Sequence, residues 1–265
     1  MNRKWISKKR RKILQALETV DHITKPAFVC NICNRPIRHP IDGPRHESEV
    51  FSQLKVVGGG FRPKEQCPFC LANDRLRFVV ETLRQKTDIL ETRCKVLEFA
   101  PILGLEKYLK EHGQCDYLSG DIVPGRAMCV MDITQIDRPD NTYDYVICNH
   151  VLEHIPDEAK ALREMRRVLK PGGVMLLSMP IAITLKNTLE KQNVDTPEKR
   201  LAVYGQEDHV RLYGLDVVER LEKYGLSVEE IIAKVDMPEA VAKYGLIPDD
   251  RNYLCRKPLT DNAAR

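Results

Sequence analysis

Four cysteines form two pairs whose spacing suits a metal ion. Cys30 and Cys33 enclose two residues, and so do Cys67 and Cys70. Each pair can offer two thiolates from one tight turn to a tetrahedral ion, and two such pairs in a reducing compartment favour Zn²⁺. A redox dithiol is the alternative, but it needs only one pair. We predict a structural zinc, because four protein ligands close the coordination shell and leave no position for a substrate.

The segment between the two pairs offers alternative ligands and has an unusual length. His39 and His46 lie within it and could replace one pair of thiolates. Its 33 residues exceed the roughly 15 to 20 of a compact zinc ribbon. We therefore expect an extended excursion, with turns at Gly43-Pro44 and at residues 58–60.

Carboxylates near the ends of short apolar runs form a second set of candidate residues. The run at 95–101 stops at a proline and is followed by Gly104 and an amphipathic stretch, which predicts the strand-to-helix turn of a doubly wound sheet. Asp121 ends the next short run, about where such folds place a carboxylate that binds ribose. Asp132 lies near the end of a third run, at 130–133. Both aspartates could instead be turn residues without a ligand.

Further elements that would position these residues follow in order. A fourth strand is predicted at 143–149, then a helix that starts near Glu158 and stops at residues 170–173. Gly172-Gly173 should end that helix, and residues 174–179 should form a buried strand. After a polar insertion at 181–212, we predict a helix at 215–224 and strands near 228–233 and 252–255.

The run at 143–157, followed by 162–173 and a β-strand, resembles the class I S-adenosylmethionine-dependent methyltransferases over roughly residues 95–258. The resemblance implies an α/β fold with a Rossmann-like, doubly wound, mostly parallel seven-stranded sheet, preceded by a small zinc-ribbon-like module. It implies S-adenosylmethionine as cofactor. The cofactor-binding residues implied are Glu98, Ala100 and Gly104 at the methionine end, Asp121 at the ribose, Asp132 and Ile133 at the adenine, and Asn149 and His150 after the fourth strand. The family usually has Gly-x-Gly where this chain has residues 100–104.

The four-cysteine module, Cys67-Pro68-Phe69-Cys70 included, resembles a bacterial and archaeal subgroup of these enzymes. That resemblance implies methylation of a hydroxyl of a saccharide or other small metabolite. The ribosomal-RNA guanine methyltransferases with an N-terminal zinc module have a similar layout, so RNA is the alternative acceptor. A non-catalytic binding protein of the same fold is a third reading.

The string Glu207-Asp208-His209-Val210-Arg211 supplies the candidate catalytic group. An oxygen acceptor must lose its proton, and a histidine is the usual base near neutral pH. We predict His209 as this base, Asp208 and Glu207 as the groups that fix its tautomer and contact the substrate, and Arg211 as a grip for an anionic acceptor. A histidine in a polar loop can equally have no such role. Glu153 and His154 are expected to pack or cap rather than to bind a ligand.

Composition limits the remaining possibilities. The net charge of +4 is small beside 42 Lys and Arg and 38 Asp and Glu, so no overall basic field requires a nucleic acid. Seven of the first twelve residues are Lys or Arg, and this segment could contact a membrane surface, a nucleic acid or a protein, or simply be a solvated helix. No apolar run reaches the roughly 18 residues of a spanning helix, and we expect a cytoplasmic protein.

The expected domain plan has four parts. These are a basic N-terminal segment (1–25), the zinc module with a linker helix (26–92), the methyltransferase domain (93–258) and a C-terminal tail (259–265). The five cysteines outside the two pairs are expected to be small buried hydrophobic residues.

Overall fold

A seven-stranded sheet lies at the centre of the part of the chain that the computed structural model describes, residues 25–43 and 48–260. Its strands are β4 (Arg93–Phe99), β5 (Gln114–Asp121), β6 (Cys129–Val130), β7 (Tyr143–Asn149), β8 (Leu169–Ser178), β10 (Ser227–Ile232) and β11 (Arg251–Arg256). They are arranged in the order β10-β11-β8-β7-β4-β5-β6. All pairs among β4 to β8 are parallel, whereas β11 is antiparallel to both of its neighbours. The predicted mostly parallel seven-stranded sheet is confirmed.

The helices of the described residues are α1 (Glu49–Gln53), α2 (Asp74–Lys86), α3 (Leu105–His112), α4 (Glu158–Val168), α5 (Pro197–Tyr204), α6 (Val217–Glu222), α7 (Ala233–Asp236) and α8 (Pro238–Tyr244). Helices α1 and α5 pack in a cluster of their own, whereas the others lie on the two faces of the sheet. Helices α2, α3 and α8 share one buried cluster with alternate strand residues such as Val96 and Ile147. Helices α4 and α6 share the other cluster with Leu97 and Val146. The strand alternation therefore places successive side chains in two separate cores.

The cysteine-bearing segment is attached to the first of these cores. Its strands β1 (Phe28–Cys30) and β2 (Arg35–Ile37) form an antiparallel hairpin. The guanidinium of Arg77 in α2, fully buried, stacks over the Phe28 ring and donates hydrogen bonds to the carbonyl oxygens of Glu65, Ala72, Tyr244 and Gly245. One side chain thus joins the cysteine segment, α2 and the end of α8.

The excursion between the cysteine pairs reaches the sheet edge instead of looping into solvent. It contains α1 and β3 (Val56–Val57), and β3 pairs antiparallel with β9 (Ile181–Ala182), which follows β8. Phe51 of α1 is buried with Tyr204 and Leu212 in a third apolar cluster. The excursion is therefore packed on the insertion that follows β8.

Two predicted boundaries are wrong. Helix α4 ends at Val168, and residues 170–173 belong to β8 rather than to the end of the helix, because Leu169 already has extended dihedral angles. Strand β6 has only two residues, so Asp132 and Ile133 lie beyond it. The predicted helix at 215–224 and the strands near 228–233 and 252–255 are present with ends shifted by a few residues.

Three of the five remaining cysteines are buried as predicted, Cys94, Cys148 and Cys255, whereas Cys115 and Cys129 are half-buried. Among residues 25–43 and 48–260, every helix is too short or too polar to cross a bilayer. The basic segment before residue 25, His46 and the tail after residue 260 lie outside the described residues, so the predictions made for them stay predictions.

We predict that Arg77→Ala lowers the free energy of unfolding by about 3 kcal/mol or more, because it takes the charged donor from four carbonyl oxygens, two of them in fully buried hydrogen bonds. Urea unfolding followed by circular dichroism measures this loss. The exposed Arg93 gives a matched control, since Arg93→Ala removes the same group from solvent. A loss below about 1 kcal/mol for Arg77→Ala would show that the hydrogen bonds of Arg77 contribute little to the stability of the fold.

Candidate functional site

The carboxyl ends of β4 and β7 form the crevice where open α/β sheets bind ligands. Strand β4 lies between β5 and β7, and the chain leaves β4 through α3 on one face and β7 through α4 on the other. The first residues beyond these strands, Ala100 and His150, have φ angles of +46° and +54°. Left-handed conformations at non-glycine residues are strained and concentrate at functional sites. Both turns therefore mark this edge as the candidate site.

The turn after β4 is held by a buried carboxylate. Glu98 is fully buried, and its Oε1 accepts a hydrogen bond from the Ile102 backbone N–H at 2.7 Å. The Tyr117 hydroxyl donates to Oε2, and the Ala100 N–H donates to the Gly120 carbonyl at 3.0 Å. Glu98 thus holds the turn from within the core. Gly104 (φ +102°) is the N-cap residue of α3.

Two carboxylates lie at this edge, one on the last residue of β5 and one just beyond β6. Asp121 is half-buried and accepts a hydrogen bond from the Val123 N–H at 2.7 Å. Asp132 is exposed and accepts from the N–H and hydroxyl of Thr134 at 2.7 and 2.8 Å. The apolar side chains of Ile122 and Val130 are 64% and 63% exposed beside Asp121. This part of the edge therefore combines hydrogen-bond acceptors with an apolar surface.

Asn149 leaves an unpaired donor at the end of β7. Its side chain is 5% exposed, and Oδ1 accepts from the Ser178 hydroxyl at 2.8 Å. Its Nδ2 is buried without a partner among the described residues. A buried amide donor without a partner is rare and suggests a missing ligand.

A small polar cavity of about 180 Å³ adjoins this edge at His150. Its lining residues are Gly59, Gly60, Arg75, His150, Glu153, His154, Pro180, Gln206 and His209. Glu153 and His154 lie on a short 3₁₀ turn after β7, and the Val210 N–H donates to the Glu153 carbonyl at 2.8 Å, which ties the His209 segment to that turn. The cavity is therefore lined by three separate segments. These are the segment between the cysteine pairs, the turn after β7 and the insertion after β8.

The titratable side chains of the cavity are closely spaced. Glu153 Oε1 lies 3.3 Å from His150 Nδ1, and the rings of His154 and His209 meet edge-on with centroids 4.8 Å apart. Burial raises the pKa of Glu153 to about 8. Burial, with a smaller effect of His154, lowers the pKa of His209 to about 4, and burial lowers the pKa of His150 well below its ordinary value. The imidazoles of His150 and His209 are therefore neutral near pH 7, and each keeps a nitrogen lone pair.

Asp208 and Arg211 do not contact the groups that the sequence predicts for them. Asp208 is exposed and its Oδ2 lies 3.3 Å from Nδ1 of His154, so it contacts that histidine and not His209, whose Nδ1 has no partner among the described residues. Arg211 is 1% exposed; its Nη1 donates to the carbonyls of Leu152 and Ile155, and its Nη2 to Glu190. Arg211 thus fixes the turn after β7. Because its guanidinium is occupied by these contacts, it does not fit the predicted role of binding an anionic acceptor. Glu207 is exposed, and Gln206 lines the cavity instead.

Several cavity residues were missed. The spacing His150-x-x-Glu153-His154 places three ionisable groups within one turn, and this signal was readable although we expected Glu153 and His154 only to pack or cap. Arg75, Gly59 and Gly60 reach the cavity only through the packing of α2 and the excursion, which no local pattern reveals.

The four paired cysteines come together. Their sulfur atoms all lie within 4.8 Å of one another, with Cys30 and Cys70 3.5 Å apart and Cys33 and Cys67 3.7 Å apart. Sulfurs about 2.3 Å from one tetrahedral zinc are about 3.8 Å apart. Their arrangement therefore fits a closed tetrahedral ion, while the alternative ligand His39 is exposed and outside the cluster.

Known proteins described as methyltransferases are similar to this chain. Residues 104–177 match the family described as methyltransferase domain. A probable S-adenosylmethionine-dependent methyltransferase of Mycolicibacterium smegmatis is 33% identical over 102 residues, 38% of this chain and 35% of that protein. A demethylmenaquinone methyltransferase of Listeria welshimeri is 40% identical over 60 residues, 23% of each chain. The chain thus spans about a third or less of the length of these curated relatives.

A solved structure described as a putative sarcosine dimethylglycine methyltransferase from Galdieria sulphuraria is similar to this chain, with a TM-score of 0.47 and 16% identity. The alignment covers 69% of this chain and 84% of that chain.

We predict that Glu98 makes the folded protein less stable as the pH rises. Burial raises the Glu98 pKa from 4.5 to about 7. Between these values the folded state holds a proton that the unfolded state has released, so stability falls from about pH 4.5 to about pH 7 and then levels off. Glu98→Gln removes this dependence. The difference in unfolding free energy between the variant and the wild type should rise by up to about 3 kcal/mol across this range.

Chemical denaturation at pH 4.5, 6 and 8 measures this difference, and buried acids that both proteins share cancel in it. Glu111→Gln on the exposed face of α3 is the control and should give profiles parallel to the wild type. Parallel profiles for Glu98→Gln would show that Glu98 keeps an ordinary pKa.

Proposed function

We propose that this chain, which carries a methyltransferase domain at residues 104–177, transfers a methyl group from S-adenosylmethionine to an oxygen atom of a saccharide or another small metabolite. The observation that supports this most is that the histidine-lined cavity reaches His150, the first residue beyond β7, at the carboxyl edge where sheets of this topology bind ligands. Methyl transfer needs donor and acceptor held in line.

The residues at the crevice fit the cofactor. The Asp121 carboxylate can accept from ribose hydroxyls, and Asp132 and Ile133 would border the adenine with Ile122 packing on it. The turn at residues 100–104 and the unpaired Nδ2 of Asn149 would contact the methionine end. When bound, the cofactor supplies a methyl group already activated on a sulfonium. The protein's part is therefore to orient the two reactants and exclude water.

The cavity residues would receive the acceptor. His209 is buried and neutral near pH 7, so it can accept the proton of an acceptor hydroxyl. Arg75 lines the same cavity and takes the place proposed from the sequence for Arg211 as the cation facing an anionic acceptor group. Gly59 and Gly60 of the segment between the cysteine pairs line the same cavity.

We also propose that Cys30, Cys33, Cys67 and Cys70 hold a structural Zn²⁺. The distances between the sulfur atoms are close to those between the ligands of one tetrahedral zinc, and Cys30 and Cys67 are buried. Both observations support four thiolate ligands with no open position. The ion would stabilise the loops that carry the excursion to the cavity.

Labelled cofactor identifies the acceptor. The protein is incubated with methyl-labelled S-adenosylmethionine and a fractionated cell extract, and label is expected in small molecules or glycans. Label in a nuclease-sensitive fraction would instead make RNA the acceptor. Absence of cofactor binding by calorimetry would refute enzymatic activity altogether.

We predict that His209→Ala lowers turnover by about 100-fold or more, the usual scale for loss of proton removal from the acceptor. Its affinity for S-adenosylmethionine should stay within about twofold, since His209 lies in the acceptor cavity and not at the cofactor crevice. Turnover of the labelled acceptor and calorimetry measure the two quantities. Unchanged turnover would remove His209 from the mechanism.

We predict that Cys33→Ser lowers bound zinc from one ion per chain to well below one and destabilises the fold by several kcal/mol, because a structural zinc contributes directly to folding. Elemental analysis and thermal unfolding measure these changes. Cys115→Ser alters an equally half-buried cysteine outside the cluster and should keep the zinc. Full zinc content in Cys33→Ser would contradict the four-cysteine site.

A further inference from the structure

A second group of ligand-type side chains lies in the cavity, apart from the four cysteines. Glu153, His154 and His209 each place one carboxylate oxygen or ring nitrogen within 4.8 Å of the others. We propose that these three residues bind a divalent first-row transition-metal ion that activates the acceptor oxygen. Binding of the ion stands on the geometry alone; its role in activation rests on the proposed methyl transfer.

Unpaired buried atoms point to an occupant of this cluster. Glu153 and His209 are each 1% exposed, and Oε2 of Glu153 and Nδ1 of His209 have no hydrogen-bond partner among the described residues. Leaving such an atom buried and unpaired destabilises a fold, because the atom has lost its hydrogen bonds to water. The two unpaired atoms belong to different segments of the chain but to residues that line the same cavity. One bound cation would satisfy both of them.

Neighbouring groups orient the proposed ligands as they do in metal sites. Histidines that bind metals usually donate their other ring N–H to a carboxylate or a carbonyl. Nδ1 of His154 lies 3.3 Å from both the carboxylate and the backbone carbonyl of Asp208. His150 holds the other oxygen of Glu153 at 3.3 Å. Asp208 would therefore orient a histidine, as predicted from the sequence, but the histidine is His154 rather than His209.

The ligand set selects the kind of ion. Two imidazoles and one carboxylate suit Mn²⁺, Fe²⁺, Co²⁺ or Zn²⁺ better than Mg²⁺ or Ca²⁺, which prefer oxygen. Ligand atoms about 2.1 Å from one ion are at most about 4.2 Å apart, so any pair of these atoms that lies further apart, within the 4.8 Å limit, would move together on binding. Three protein ligands leave positions open, as in catalytic rather than structural sites.

An open position in this cavity would suit an acceptor hydroxyl. With the ion bound, His209 is a ligand and no longer the base. The divalent cation would then lower the pKa of the bound hydroxyl, so that the hydroxyl loses its proton to bulk solvent water near neutral pH. The oxygen then forms a bond to the methyl carbon as the bond from carbon to sulfur breaks, and the sulfonium becomes a neutral thioether. Arg75, which lines the same cavity, would hold an anionic part of the same acceptor.

Cobalt titration of the protein with its cysteine site filled by zinc tests the proposal. We expect one Co²⁺ per chain, with visible d–d bands but without the near-ultraviolet thiolate-to-cobalt charge-transfer band that a cysteine site would give. His209→Ala and His154→Ala should each weaken Co²⁺ binding at least about tenfold. Both variants should keep their zinc and their circular dichroism spectrum. His112→Ala changes an exposed histidine on α3 and should bind Co²⁺ like the wild type.

The outcomes separate this inference from the proposed function. Calorimetry with S-adenosylmethionine is run on the same samples. Cofactor binding without any Co²⁺ binding, or Co²⁺ binding unchanged in both histidine variants, would overturn the metal site and leave methyl transfer intact. Co²⁺ binding without cofactor binding would leave the metal site and overturn methyl transfer. Recovery of turnover by added Co²⁺ or Mn²⁺ after chelation, in wild type but not in His209→Ala, is the expected functional result.

Discussion

The parallel arrangement of β4 and β7 is the constraint on which the site depends. Parallel neighbours end at the same edge, and because their following helices cover opposite faces, no connection crosses the space between them. The chain leaves both strands through left-handed residues, Ala100 and His150. Glu98 holds the first turn from within the core, and the backbone N–H of His150, bonded to the Ser178 carbonyl, holds the second. The crevice is thus fixed by buried groups before any ligand arrives.

The cysteine segment contributes more than a stable attachment. Its hairpin and α2 are clamped by Arg77, and the segment between the cysteine pairs then extends over the edge of the sheet to pair with β9. Gly59 and Gly60 consequently line the same cavity as His150 and His209. A zinc ion at the cysteines would therefore influence acceptor binding through the position of this excursion.

The sequence predicted the parts of the fold that local patterns encode. Apolar runs and turn residues located β4, β5, β7 and the core of β8, and the cysteine spacing located the thiolate cluster. Long-range packing decided what the sequence could not. Asp208 was assigned to the histidine beside it in the chain, but the turn of the backbone directs it to His154. Arg211 looked available for a ligand, yet carbonyls of the β7 turn surround it.

Binding of S-adenosylmethionine at the carboxyl edge is the central claim, and titration calorimetry tests it most directly. We expect one cofactor per chain. We also expect an affinity about 10- to 100-fold weaker for Asp121→Ala, the range for loss of one charged hydrogen-bond acceptor. Asp140→Ala, at an exposed salt bridge with Arg167 away from the edge, should bind like the wild type. No cofactor binding by the wild type, or equal affinity in Asp121→Ala, would show that the cofactor does not bind at this edge.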